Sequence, residues 1–173
     1  MASDFDWAGF RALTKRLDGL VDCERDDAEF TDDLRRALTF VYTAGITMPT
    51  AGDIFEDAGG DEFWNTKEVP GLSPDVDSGD NATAGESLAA RIAESAEAAQ
   101  PDELGHPDEI VEVATTAAEN LLDVVSALEA GAALFDESRL QEAQWEWSFG
   151  FDDWGTHALA ALSALHELLW GAR

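Results

Sequence analysis

Four aromatic residues fall within seven positions near the end of the chain, at Trp145, Trp147, Phe149 and Phe151, and a fifth, Trp154, follows. Their alternation with polar or small residues imitates a β-strand, in which successive side chains point to opposite faces. No other segment carries a convincing strand pattern, and a lone strand leaves its backbone N–H and C=O groups unpaired. Residues 137–170 therefore read as helical, with a kink near Gly150 or Gly155. At about 100° per residue, Trp145 and Phe149 share one side of this helix, and Trp147, Phe151 and Trp154 share nearly the opposite side. A helix with bulky rings on two opposed sides is covered on both. It is either the central helix of a bundle, or one side meets a partner.

The other periodic segments are helical too. A first helix is expected from an N-cap at Ser3, with Asp6 three residues on, and its apolar face is Trp7, Phe10, Leu17 and Val21, flanked by Leu13 and Leu20. A second begins between Asp27 and Thr31, carries Phe30, Leu34, Leu38 and Val41, and is ended by Gly45 and Pro49. Thr83 and Glu86 have the spacing of a capping box and open a third, with Leu88, Ile92, Ala96 and Ala99 on one stripe. Pro107, Asp108 and Glu109 suit the first turn of a fourth, whose stripe is Ile110, Ala114, Ala117, Leu121, Val125 and Leu128.

Residues 49–81 stand apart. They are rich in turn formers and long for a loop in a compact domain. They read as an irregular, partly mobile excursion, pinned to the body by Ile54, Phe55, Phe63 and Trp64, with a short helix over residues 61–66. The run "DVDSGD" lacks the full spacing and closing Glu of a calcium loop and reads as a solvated turn. The expected fold is all-α: one domain over residues 1–173, a bundle of four to five main helices with this excursion.

Charge narrows the function. The chain has 37 acidic residues against 10 basic ones, a net charge of −27. Such a field repels phosphate backbones and anionic membrane surfaces, which argues against direct nucleic-acid or membrane binding. Three explanations stand: a basic protein partner, mimicry of nucleic-acid charge, or a salty host cytoplasm that screens the repulsion. Lysine is confined to Lys15 and Lys67, against eight arginines. Low Lys with high Asp, Glu, Ala and Gly is the usual composition of halophile proteins, and high genomic GC content gives part of the same bias. No apolar run approaches the roughly 20 residues of a membrane span. The start "MASDFDW" lacks the basic and apolar regions of a signal peptide, so a cytoplasmic location is expected.

Little in the chain can perform catalysis. One cysteine, Cys23, permits no intrachain disulfide and no cysteine-rich zinc site, and it reads as an ordinary helix residue. Nucleophile triads and phosphate loops are absent. On a continuous helix, Glu142, Glu146, Asp153 and His157 fall within about 60° of one face. That set reads either as a solvated acidic face or as ligands for a divalent metal. His166 lies beside the stripe of Leu162, Leu165 and Leu169 and reads as a packed, hydrogen-bonded histidine. The aromatic side bearing Trp145 and Phe149, with Phe63 and Trp64, is the candidate interface, for a basic protein partner or for a second copy in a homodimer.

The stretch from Trp145 to Ala158, read as W-x-W-x-F-x-F-x-x-W-G-x-H-A and followed by "ALSALH", resembles the bacterial family called domain of unknown function 5063. The "EFWN" around Phe63 and Trp64, then an acidic linker and two helices, is similar in layout. The family pattern often has a histidine before the tryptophan of the Trp-Gly pair, where this chain has Asp153. The resemblance implies an all-helical intracellular bacterial protein and brings no activity with it. It implies that the aromatic cluster is a shared structural or docking element. The function expected is therefore a non-enzymatic acidic interaction or regulatory protein that binds or inhibits a basic partner. The alternative is a helical protein that uses the Glu142, Glu146, Asp153 and His157 face for a metal or a small molecule, and needs no other cofactor.

Overall fold

The computed structural model describes residues 5–57, 78–99 and 106–171. Among them there are seven helices and no strand: α1 (Trp7–Val21), α2 (Phe30–Gly45), α3 (Ala51–Asp57), α4 (Ser78–Ala99), α5 (Pro107–Asp136), α6 (Leu140–Phe149) and α7 (Phe151–Trp170). The all-α expectation holds, with seven helices where four or five were expected. The two additions are short. α3 lies inside the stretch expected to be irregular, and α6 is parted from α7 at Gly150.

Local rules explain two of the helix starts. The Asp6 carboxylate accepts from the Gly9 N–H at 2.8 Å and caps α1. Asp6 is therefore the N-cap itself, in place of Ser3, which lies outside the described residues. Pro107 opens α5, where its missing N–H costs nothing, and Asp108 and Glu109 follow at the positive helix end. α4 departs from expectation: it starts at Ser78, five residues before the Thr83–Glu86 pair, so that pair lies inside the helix. The turn expected over residues 75–80 is helical from Ser78 onward. The helix expected at residues 61–66, and the anchors Phe63 and Trp64, lie outside the described residues.

α5 is the hub. It packs on α7, α4, α6 and α1, while α2 packs on α7 and α1. Its predicted stripe of Ile110, Ala114, Ala117, Leu121, Val125 and Leu128 is buried throughout. The alanines let neighbouring helices approach closely, and each larger buried side chain contributes roughly 1.5–3 kcal/mol. A polar clasp joins α2 to α4. The Thr31 N–H donates to Ser95 Oγ at 3.0 Å, and the Thr31 hydroxyl donates to the Ile92 carbonyl at 3.2 Å. Among the described residues no buried side-chain nitrogen or oxygen lacks a hydrogen-bond partner, and no helix is long and apolar enough to cross a membrane.

Candidate functional site

The aromatic run divides into a buried side and a side that reaches the surface. Trp147 and Trp154 are fully buried. Trp147 stacks on Trp7 with ring centroids 6.1 Å apart, and meets the edge of Phe10 at 5.1 Å. Its indole N–H donates to the Leu128 carbonyl on α5 at 3.0 Å. Trp154 packs edge-on against Phe151 at 4.7 Å, and its N–H donates to the Trp147 carbonyl at 3.0 Å. Two glycines make room for these rings. A Cβ on Gly131 would lie 2.4 Å from Trp147 Nε1, and one on Gly45 would lie 2.4 Å from the Trp154 ring. This side of the run is core.

The other side is not. Trp145 and Phe149 stack on each other with centroids 4.6 Å apart and planes 12° from parallel. Trp145 is half-buried, and Phe149 is 66% exposed. α3 packs against the same helix, and Ser148 Oγ lies 3.9 Å from the Met48 sulfur. Whether Phe63 and Trp64 join this pair falls outside the described residues.

The carboxylate and histidine set does not form as one cluster. Its common face assumes one unbroken helix, and the break at Gly150 places Glu142 and Glu146 on α6 but Asp153 and His157 on α7. The Arg139 guanidinium engages both oxygens of Glu142. Burial pushes the Glu146 carboxyl above the usual carboxylate range. His157 belongs instead to the α5–α7 seam, where Nδ1 lies 2.9 Å from Asn120 Oδ1 and 3.3 Å from Asp123, while Nε2 is 4.0 Å from Asp153. Among the described residues no three His, Cys, Asp or Glu side chains converge to hold a metal ion. His166 also differs from expectation: it is exposed and rests against Trp170, ring centroids 4.6 Å apart.

One feature escaped the sequence. A groove of about 390 Å³ opens between α1 and α5. At one end the Arg11 guanidinium donates to both oxygens of Asp136, at 3.1 and 2.7 Å. Toward the other end lie Asp18 and Glu129. Burial raises both carboxyls above their ordinary range; the Asp22 charge adds to the rise at each, and the Asp18 charge also acts on Glu129. Arg11, Thr14 and Asp18 share a helix face by spacing alone, but nothing in a single sequence says that this face meets α5.

The chain belongs to the domain of unknown function 5063 family, whose sequence pattern matches residues 17–170. The aromatic motif that carries the resemblance lies within that match. No curated protein and no solved structure matches the chain.

Proposed function

We propose that this member of the family is a non-enzymatic interaction or regulatory protein that engages a basic protein partner through the Trp145–Phe149 face of α6. The observation that supports the reading most is Phe149, an aromatic ring left 66% exposed beside Trp145 in a chain of net charge −27. Large exposed rings are enriched at binding surfaces, and a strongly negative field steers a positive partner toward them. The reading includes a cytoplasmic, bacterial setting whose salt level suits the acidic composition.

The experiment is affinity isolation from the native host at its own salt, with wild-type protein beside a Trp145→Ala/Phe149→Ala variant. A basic protein retained by the first and lost by the second, and then rebound when purified, supports the reading. Equal retention by both defeats it. Sedimentation of the same two proteins tells a second copy from a different partner: a wild-type dimer that the variant cannot form replaces the basic partner with a homodimer.

A further inference from the structure

The groove between α1 and α5 has two unlike ends and an apolar floor. Val125 and Leu128 form part of that floor and are both buried. Arg11 and Asp136 neutralise each other at one end. Toward the other end, the Asp18 and Glu129 carboxylates make no hydrogen bond or ion pair among the described residues. The Asp18 and Asp22 charges both act on Glu129, while Asp18 is repelled by Asp22 and attracted by the Arg11 charge. The volume, about 390 Å³, lies at the small end of ligand sites.

We propose that this groove receives a lysine or arginine side chain of a protein partner, its alkyl stem over Val125 and Leu128 and its cationic head between Asp18 and Glu129. Lys and Arg combine an apolar stem with a charged tip, and the groove offers the complement of each part in that order. An anionic ligand meets repulsion here. A bare divalent ion gains too few ligands, since no three carboxylates converge. The chain itself shows how such a group is held. Arg11 already lies along this groove, with Nη1 3.4 Å from Thr14 Oγ and its guanidinium on Asp136 across the seam. A partner's basic side chain would repeat that arrangement at the acidic end.

This inference rests on the basic-partner reading, but the two can fail separately. The test titrates ¹⁵N-labelled protein with Nα-acetyl-lysine amide, with Nα-acetyl-norleucine amide as the uncharged control, and with ammonium chloride at equal ionic strength. The expected result is saturable shifts confined to residues 11–22 and 125–136 for the lysine probe. They should weaken about fivefold in a helical, folded Asp18→Asn/Glu129→Gln variant, the scale of a lost partly exposed ion pair. Equal shifts from norleucine amide or ammonium, or an undiminished response in the variant, overturn the groove assignment. A partner isolated by wild type and held equally well by the groove variant also overturns it, while leaving the Trp145–Phe149 reading in place. Loss of every basic partner overturns that reading, and the lysine titration still decides the groove.

Discussion

The indole N–H of Trp154 donates to the backbone carbonyl of Trp147 at 3.0 Å, across the break between α6 and α7. That carbonyl is one of the last four of α6, which have no partner within their own helix. The ring that fills the core therefore also satisfies the backbone group that the break exposes. Trp154→Phe keeps most of the ring and removes the donor. It should cost about 1–3 kcal/mol, the penalty for a buried acceptor left unpaired. Trp154→Ala also opens a cavity and should cost about 3–5 kcal/mol. Chemical denaturation of both variants measures this. If the phenylalanine variant matched wild type, the hydrogen bond would contribute nothing to holding the two helices together.

Two glycines should tolerate no methyl group, and a third should welcome one. Gly131→Ala would place a Cβ 2.4 Å from Trp147 Nε1, and Gly45→Ala one 2.4 Å from the Trp154 ring. Neither ring can retreat from a fully packed core, so each change should destabilise by about 1–3 kcal/mol. Gly19 lies exposed within α1, and a methyl group there would meet nothing within 4 Å. At that position alanine should stabilise by about 0.4–1 kcal/mol, through helix propensity and a less free unfolded chain. Thermal melts of the three variants should show opposite signs, and a loss at Gly19 equal to that at Gly131 would refute the steric account.

The contrast between Gly19 and Gly131 also marks what the sequence could and could not reveal. Helical periodicity located the buried α5 stripe from Ile110 to Leu128, and it separated Trp147 and Trp154 from Trp145 and Phe149. The α5 stripe, and the parting of Trp147 from Trp145 and Phe149, are statements about one helix at a time; Trp154 lies on α7 and reaches the same core from beyond the break. The sequence offered Gly150 or Gly155 for the break, and the backbone of Gly150, φ −75° and ψ −5°, is open to any residue, so its conformation could not choose between them. Once the helix breaks, angular arithmetic carried across it fails, and that is why Glu142 and Glu146 part from Asp153 and His157. The Thr83–Glu86 pair misled for a related reason: a local capping signature does not forbid the helix from continuing upstream of it. The groove needed the pairing of α1 with α5, which is tertiary information.

Acidification should first stabilise this protein and then destabilise it. The Glu146, Asp18 and Glu129 carboxyls are held above their usual range, chiefly by burial. The folded state therefore takes up protons before the unfolded state does, and stability grows as pH falls from neutral toward the ordinary carboxylate pKa of about 4. Asp27, Asp136 and Asp53 are held below their usual range by hydrogen bonds from Arg25, Arg11 and Thr50. Their contribution is present above about pH 4 and is lost as pH falls further. Melting temperature at constant ionic strength should thus peak at about pH 4–5, and Glu146→Gln should flatten part of the rise. A steady decline from pH 7 to pH 5 would show that the raised carboxyls do not govern the acid response.

Salt should stabilise the fold, although it weakens every ion pair in it. The described pairs are few and lie at least partly in water: Arg11–Asp136, Arg25 with Asp27 and Asp33, Arg35 and Arg36 with Asp32, and Arg139 with Glu137 and Glu142. Such solvent-screened pairs contribute little, so screening them further loses little. Against them stand 37 acidic residues and only 10 basic ones, so most carboxylates face other carboxylates. Folding concentrates these charges, and the repulsion destabilises the compact state. The screening length falls from about 10 Å at 0.1 M to about 3 Å at 1 M, which removes most of that repulsion. A relief of about 2 kcal/mol would raise the melting temperature of a chain this size by roughly 4–8 °C. Potassium chloride is the salt to use, because sulfate would also strengthen apolar burial. Most of the rise should be complete by about 1 M, where screening saturates. A flat or falling melting temperature over this range would mean that the acidic residues are spaced well enough in the folded state to cost it nothing, and the salt-adaptation account of the composition would fail with it.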